Sequence, residues 1–504
     1  MQNSFWISNS RGTDYPTLDQ NIETDYLIVG AGLTGLHTAY LLSDYKGKIT
    51  VVDADKVGYG SSGRNTGKIT ASHGLIYDSI SKKYGDQKSR LYYEANEEGM
   101  RLIEDIISKH NVDCDFEKVP NYIFTEHEDY LNQIKMEFDT CQRLNIPYEY
   151  LDSIDDFPLE IKGALKLENQ AEFNTMKYLN KLAEINKSKG VDIYENTPVV
   201  GLVKEDNFYI VKTKFNEIKT RVLIIASSNP WYDGLRLYFS KQKPSRSYLT
   251  VSKLNKSVQK GMYISVESPT KTIRTYGEYL ICGGFDHQTG KCDDEQHIFD
   301  DIVNFTRNNF NVGHIEYKWS TQDYITTDNI AYIGRINNDE KNIFIATGFC
   351  KWGISTSAVA AIIFKDLIID KKSKYENLFN PSRIGSYMNL NYLKENILVV
   401  YDYIKGKLKD GESVNDLKNG EGKVVNINGS KYGAYKDEEG NFFVVDITCT
   451  HLGCELKFNS FEKTWDCPCH GSRFNYDGSI LNGPALKPLK LLGQGKNDID
   501  PDIV

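Results

Sequence analysis

The sequence has no surplus of basic residues that would hold a polyanion. Its 60 Lys and Arg residues are outnumbered by 69 Asp and Glu residues, which gives a formal net charge of -9. Because nucleic-acid binding depends on a positive surface field, we expect no nucleic-acid partner. Proline is also scarce, with 13 residues in 504, and no biased segment is present. The composition therefore excludes a fibrous or disordered chain.

Long apolar runs are missing as well. The most apolar stretch, Ala358 to Phe364, ends at Lys365 and is far too short to cross a bilayer. The first residues lack the basic and then apolar order that is typical of an export signal. We therefore expect no transmembrane segment and a cytoplasmic location.

Cysteine is scarce but clustered. Nine cysteines in 504 residues are too few for a secreted chain held together by disulfides. Four of the nine fall between residues 449 and 469, and such clustering is typical of a binding site. A chain of this length is expected to fold as several domains.

Residues 25–55 predict a strand, a glycine turn, a helix and a second strand. Gly30, Gly32 and Gly35 form a G-x-G-x-x-G turn, where the missing Cβ atoms let the backbone approach a pyrophosphate. Asp53 follows at the end of the second strand, in position to accept a hydrogen bond from a ribose hydroxyl. The pattern predicts a dinucleotide site but does not separate NAD from FAD.

Several further segments, spread over about residues 20–375, resemble the glycine, sarcosine and D-amino acid oxidase family of flavoproteins. They are GSSGRNTGKIT, TPVVGL, RVLIIAS, LICGGFDHQTG, YKWSTQDYITTDNIAYIGRI and IFIATGFCKWGIST. The resemblance implies FAD as a cofactor and a small-molecule substrate, an amine or an amino acid. It also implies roles for Val199 at the adenine, Arg64 and Asn65 near the pyrophosphate or flavin, and Gly348 to Gly353 beside the isoalloxazine ring.

One difference and three side chains qualify this resemblance. Ser320 and Thr321 stand where sarcosine oxidases attach flavin through a cysteine, so we expect non-covalent flavin. Arg274 has the geometry to clamp a substrate carboxylate, and the alternative is an arginine held in an ion pair. His73 and His287 lie in family-like segments, but a lone histidine is more often a packing residue, so neither is assigned a catalytic role.

Two short motifs near the C-terminus, CTHLGC at 449–454 and CPCHGS at 467–472, predict a metal centre. Cys449 and Cys467 supply thiolates for one iron, and His451 and His470 supply imidazoles for the other. Zinc bound by the same four residues is the alternative. Zinc does not explain the additional cysteine in each motif.

The two motifs resemble the Rieske domain of respiratory quinol:cytochrome c reductases. The resemblance implies one 2Fe-2S cluster and a disulfide between Cys454 and Cys469, with two free thiols as the alternative in a reducing compartment. It also implies that Ser472 donates a hydrogen bond to a cluster sulfur, whereas Phe474 replaces a tyrosine donor. Because such bonds stabilise the reduced cluster, we expect a potential below that of the respiratory proteins.

The predicted fold class is α/β, a Rossmann-like FAD-binding domain with an inserted α+β substrate domain, followed by a small all-β Rieske domain. The expected bounds are 1–385 for the oxidoreductase unit, 386–415 for a helical linker and 416–504 for the Rieske domain. Within the oxidoreductase unit, we expect FAD-binding parts at about 22–80, 155–235 and 326–375, and substrate-domain parts at about 81–154 and 236–325.

The two sites together predict a converter between two-electron and one-electron chemistry. A flavin accepts a hydride but can release electrons singly, and a 2Fe-2S cluster carries one electron at a time. We expect a dehydrogenase rather than an oxidase, which passes electrons from its substrate through the cluster to a quinone or an electron-transfer protein. A reductase that runs in the opposite direction, and a redox sensor or electron-transfer protein, are the alternatives.

Overall fold

The computed structural model describes residues 3–383, except 235 and 293, and residues 417–496, except 428. The predicted helical linker at 386–415 therefore lies outside the described residues. Within the described ranges, no helix is both long enough and apolar enough to cross a membrane.

The α-helices of the described residues are short to medium in length, apart from one long amphipathic helix. In chain order they are α1 (Phe5–Ser8), α2 (Leu33–Leu42), α3 (Tyr77–Tyr84), α4 (Asp86–Lys109), α5 (Leu131–Arg143), α6 (Thr175–Ser188), α7 (Glu295–Asn309), α8 (Gly353–Lys365) and α9 (Glu376–Phe379). A π-helical turn, Asp366–Asp370, continues α8.

The strands form four sheets. In chain order they are β1 (Ile22–Val29), β2 (Ile49–Val52), β3 (Lys68–Ile69), β4 (Glu117–Thr125), β5 (Tyr148–Leu151), β6 (Gly163–Glu172), β7 (Asp192–Tyr194), β8 (Val199–Glu205), β9 (Phe208–Thr213), β10 (Glu217–Ile225), β11 (Gln242–Leu254), β12 (Met262–Ser265), β13 (Lys271–Tyr276), β14 (Tyr279–Gln288), β15 (Val312–Thr326), β16 (Tyr332–Arg335), β17 (Ile343–Thr347), β18 (Gly422–Ile427), β19 (Ser430–Lys436), β20 (Asn441–Val445), β21 (Lys457–Asn459), β22 (Thr464–Asp466), β23 (Arg473–Asn475), β24 (Ile480–Asn482) and β25 (Leu491–Lys496).

The first sheet is built around β1, the strand that precedes the glycine turn. Its order is β16-β17-β10-β1-β2-β7, and β9 joins β8 to β10. β1 pairs in parallel with β2 and β10, and β10 pairs in parallel with β17. β1 ends in an apolar run and β2 is buried along its length, as expected for parallel strands covered on both faces. The predicted βαβ opening and the α/β class are confirmed.

The second sheet is mostly antiparallel and has the order β15-β11-β14-β13-β12-β4-β6-β3, with β5 paired to β6. The predicted substrate-domain parts supply β4, β5 and β11 to β15. β6 pairs with β4 over its whole length and so belongs to this sheet, although the sequence places it within the FAD-binding part at 155–235. Strand pairing across the sheet, rather than order along the chain, decides its place.

The C-terminal unit consists of two small antiparallel sheets, β18-β19-β20-β25 and β21-β22-β23-β24. The predicted small all-β domain is confirmed. One metal-motif loop connects β20 to β21, and the other connects β22 to β23. Trp465 and Phe474 are fully buried and pack with the motif cysteines in one apolar core, which holds the two loops beside each other.

Candidate active site and metal centre

Two glycines of the turn after β1 allow contacts that no other residue permits. Gly30 has a φ of +116°, and a Cβ there would lie 2.8 Å from the carbonyl oxygen of Ala226. A Cβ at Gly35 would lie 1.8 Å from the carbonyl oxygen of Gly30. α2 therefore packs directly on the turn, and the residues at its start, from the N-cap Gly32 to Thr34, line a cavity. This arrangement suits a pyrophosphate at a helix N-terminus.

Asp53 accepts two backbone hydrogen bonds, one of which comes from the glycine turn. Its carboxylate accepts from the amide of Ala31 at 2.6 Å and from the amide of Asp55 at 2.9 Å. Burial raises the pKa of Asp53 to about 6, against the lowering effect of these two bonds. The contact with a ribose hydroxyl stays a prediction, and the bond to Ala31 gives the carboxylate a further role in shaping the turn.

A cavity of about 500 Å³ lies between the first two sheets, at the N-termini of α2 and α8. It brings together three residues predicted from the sequence, namely Gly32, Asn65 and Gly353. Among the described residues, six others that were predicted are not part of the cavity lining: Gly30, Gly35, Asp53, Arg64, Val199 and Gly348. Their cofactor contacts stay predictions.

Arg274 does not reach the cavity. Its guanidinium donates to the carbonyl oxygens of Thr66 at 2.6 Å and Gly67 at 2.8 Å, and it pairs with Glu172 at 3.1 Å. Both side chains of this ion pair are almost completely buried. The ion-pair alternative is therefore the one observed, and Arg274 supports the backbone that follows Asn65 instead of clamping a substrate.

His73 lies in the cavity wall as a packing residue. Its ring stacks on Trp352 with centroids 4.8 Å apart, and its nitrogens hydrogen-bond the hydroxyls of Tyr92 at 2.8 Å and Ser355 at 3.0 Å. Burial lowers the pKa of His73 to about 3, so the ring stays neutral at physiological pH. His287 is likewise held by hydrogen bonds, at 2.8 Å to the Tyr248 hydroxyl and to a backbone carbonyl.

The charged groups that line the cavity were not identified from the sequence. Lys68 donates to the carbonyl oxygen of Tyr263 at 2.8 Å and to the Thr272 hydroxyl at 2.6 Å, and burial lowers its pKa to about 7. Lys351 pairs with Asp286 at 2.7 Å. Both lysines lie in segments that carry the family resemblance, but no periodicity shows which of those side chains face a cavity.

Asp323 is the second carboxylate of the lining. It accepts from the backbone amides of Tyr324 at 2.7 Å and Lys351 at 2.6 Å. Burial raises its pKa to about 6, against the lowering effect of these bonds. The carboxylate thus joins β15 to the loop before α8 and leaves the cavity with groups of both charges.

The two motif loops of the C-terminal unit bring all four predicted metal ligands together. Cys449 and Cys467 share a hydrogen bond, which together with a bond from Ser472 lowers the pKa of Cys449. The rings of His451 and His470 have centroids 5.1 Å apart. In this described part of the chain, the Nδ1 atoms of both histidines are buried and have no hydrogen-bond partner.

These unpaired nitrogens test whether the site fits a cluster. Leaving a polar atom buried without a partner costs about 1–3 kcal/mol, so native structures do it rarely. Two such atoms beside two buried thiols form the donor set of a Rieske centre. The residues therefore fit a 2Fe-2S cluster. Phe239 of the oxidoreductase unit covers both imidazoles edge-on, with centroid distances of 4.8 Å.

A disulfide between Cys454 and Cys469 joins the two motif loops, as the resemblance implied. Each loop is also closed on itself. The amide of Cys449 donates to the carbonyl oxygen of Cys454, and the amide of Cys467 donates to that of Ser472, both at 2.8 Å. The ligands are therefore held by loops whose ends are fixed.

Comparison with known proteins gives the same result for both units. A family model described as FAD dependent oxidoreductase matches residues 25–367. The chain belongs to this family. A model of the Rieske [2Fe-2S] domain matches residues 410–493, so the cofactors of this FAD-dependent oxidoreductase are FAD and one Rieske-type 2Fe-2S cluster.

Three similar proteins illustrate the relationship. The chain is 38% identical over 493 residues to the putative Rieske 2Fe-2S iron-sulfur protein YhfW of Bacillus subtilis, covering 97% of each chain. It is 22% identical over 390 residues to gamma-glutamylputrescine oxidoreductase of Escherichia coli, covering 74% of this chain and 90% of the relative. The crystal structure of glycine oxidase from Geobacillus kaustophilus superposes with a TM-score of 0.62 at 15% identity, covering 72% and 99% of the two chains.

We expect hydrogen bonds to the cluster to influence the reduction potential of the cluster. The buried Ser472 hydroxyl accepts from the amide of Ala485 at 3.0 Å, so its proton points elsewhere, and it bonds Cys449. Replacing Ser472 by alanine should lower the midpoint potential, and Phe474→Tyr, which adds a hydroxyl in the same core, should raise it. EPR-monitored redox titration measures both within the Rieske range of about -150 to +300 mV. Equal potentials in all three proteins would contradict this role.

Proposed function

We propose that this oxidoreductase dehydrogenates an amine or amino-acid-like substrate at its FAD site and passes the electrons singly through the Rieske cluster to an external acceptor, a quinone or an electron-transfer protein. When bound, FAD supplies hydride acceptance and the cluster supplies one-electron transfer. We further propose a cytoplasmic location for this activity.

One observation carries the proposal: a single strand separates the FAD cavity from the Rieske domain. Thr321 and Asp323 of β15 line the cavity. Gln322, between them, donates at 2.8 Å to the carbonyl oxygen of Gly471 in a cluster-binding loop. The FAD cavity and a cluster-binding loop therefore contact the same strand, which supports electron transfer between the two sites.

The cavity lining is suited to a small polar substrate. The Lys351 and Asp286 side chains neutralise each other, whereas the described partners of the Lys68 ammonium are neutral oxygens. Lys68 is therefore the cation best placed to bind a carboxylate, and Asp323 provides a carboxylate for an ammonium group. Names such as glycine oxidase and gamma-glutamylputrescine oxidoreductase among the similar proteins support substrates with an oxidisable C–N bond.

An anaerobic screen of amines, amino acids and N-methylated compounds tests the proposal. A substrate should bleach the flavin absorbance first and then produce the EPR signal of the reduced cluster. If NADPH bleaches the flavin and none of the amines does, the electrons run in the opposite direction and the proposal is wrong. Cluster redox changes that alter only partner binding would favour the redox sensor.

Replacing Lys68 by methionine should separate the two substrate classes. A charge-assisted hydrogen bond contributes about 1.5–3 kcal/mol, so the KM for a carboxylate-bearing substrate should rise about tenfold or more. A simple amine should be affected little. Lys260→Met, at a well-exposed ion pair with Glu117, is the matched control. An equal rise for both substrate classes would show that Lys68 does not bind the carboxylate.

A further inference from the structure

Strand β15 uses its two faces for two different cofactor sites. Side chains alternate along a strand, and Thr321 and Asp323 point to the FAD cavity. Ser320, Gln322 and Tyr324 lie on the other face, where each of them contacts the Rieske domain. Their partners are Glu462, at 2.5 Å from the Ser320 hydroxyl, and the carbonyl oxygens of Gly471 at 2.8 Å and Gly483 at 3.0 Å.

Gln322 is connected to both sites. Its backbone carbonyl accepts from the hydroxyl of Ser61 at 2.9 Å, and Ser61 lines the FAD cavity. Its side-chain amide donates at 2.8 Å to the carbonyl oxygen of Gly471, the residue directly after the ligand His470. The Thr289 hydroxyl donates to the side-chain oxygen of Gln322 at 2.9 Å. A buried amide held at both ends keeps one orientation.

The surfaces around this contact are packed closely. Gly471 has a φ of +78°, and a Cβ there would lie 2.4 Å from Pro244 and 3.0 Å from the side-chain nitrogen of Gln322. No larger residue fits between the cluster-binding loop and the strand. The contact therefore depends on glycine, which has no side chain, at position 471 of the Rieske domain.

A buried charge network fixes the Rieske domain in this position. Glu462 of the Rieske domain pairs with Arg246 of β11, and Arg473 pairs with Glu462 at 2.6 Å. All three side chains are at most 1% exposed. Arg246 and Glu462 neutralise each other's buried charge only while the two domains are docked. The contact at Gln322 is thus a lasting feature of the fold.

We propose that Gln322 is the positioning residue that couples the FAD site to the Rieske cluster, by holding the His470 loop in hydrogen-bond contact with the cavity wall. The inference rests on the proposed function. Two electrons removed from the substrate leave as two single transfers, and each transfer reduces one ferric iron to ferrous iron. The external acceptor reoxidises the cluster after each transfer, and the protons from the substrate go to water.

Photoreduction of the flavin in the anaerobic holoenzyme, with EDTA as electron donor, tests this coupling without a known substrate. The rate of cluster reduction is followed by absorbance and EPR after the light pulse. Gln322→Leu and Gln322→Glu both remove the donor to Gly471 at similar size, and both should slow cluster reduction several-fold. Redox titration should give wild-type potentials for both cofactors. A slower cluster reduction would then reflect weaker coupling between the sites and not a smaller driving force.

Gln288→Leu is the matched control, because it removes a side-chain hydrogen bond from β14 to the same cluster-binding loop, at the carbonyl oxygen of Pro468 3.3 Å away, without touching Gln322. It should retain the wild-type rate. Wild-type rates in both Gln322 variants, or loss of the cluster from both, would overturn the role of Gln322 in coupling. Absence of cluster reduction in the wild-type protein would instead overturn the proposed function.

Discussion

Replacing Cys467 by serine should abolish the Rieske centre while FAD stays bound. Thiolate is the soft ligand that iron–sulfur clusters require, and a serine hydroxyl is a poor substitute. Cys467 is 1% exposed, so no solvent-borne ligand easily takes its place. The loss of one sulfur would also leave the Nδ1 atoms of His451 and His470 without a metal to bind.

The expected measurements are a missing Rieske EPR signal, a loss of iron and an unchanged FAD content. Substrate should still bleach the flavin of the Cys467→Ser protein, but no cluster reduction should follow. Cys114→Ser, a buried cysteine outside the motifs, is the control and should keep the cluster. An intact Rieske spectrum in Cys467→Ser, or zinc in place of iron in the wild-type protein, would refute the assignment.

Removal of the Glu462 side chain should destabilise the whole protein. Burial alone would raise its pKa, but the charges of Arg246 and Arg473 outweigh this effect and lower the pKa to about 2. Without Glu462, Arg473 still has its ion pair with Asp466, at 2.9 Å. Arg246, in contrast, loses the carboxylate with which it pairs. Breaking a buried pair in this way costs about 3–5 kcal/mol.

Urea unfolding of Glu462→Ala against the wild-type protein measures this loss. Glu278→Gln removes an ion pair with Lys253 in which both side chains are more than half exposed, and it should change the free energy of unfolding by about 0–1 kcal/mol. Because the folded pKa of Glu462 lies below its ordinary value of 4.5, its contribution is present above pH 4.5 and disappears as the pH falls toward 2. A loss no larger than that of Glu278→Gln would contradict the network.

The local motifs could be predicted from the sequence because each lies within one short segment. Gly30, Gly32 and Gly35 specify a turn by spacing alone, and the ligands of the metal centre are set by two loops of six residues each. The all-β character of the last domain follows in the same way from short alternating strands.

Contacts between distant segments could not be predicted. Arg274 has the chemistry of a carboxylate clamp, but its carboxylate partner is Glu172, on β6 of the same sheet. That pairing depends on β6 joining the second sheet, which chain order alone does not indicate. The contacts of Gln322 with Gly471 and of Arg246 with Glu462 span 149 and 216 residues, and no local pattern pairs residues so far apart in the chain.

Because side chains alternate between the two faces of β15, both sites depend on the register of this strand. Odd-numbered positions from 321 to 323 line the cavity for the organic cofactor, and even-numbered positions from 320 to 324 contact the iron–sulfur domain. A one-residue insertion before Ser320 would turn every side chain to the opposite side. Both redox sites would then be lost in a single genetic event, so variation in the length of this segment should be tolerated only in steps of two residues.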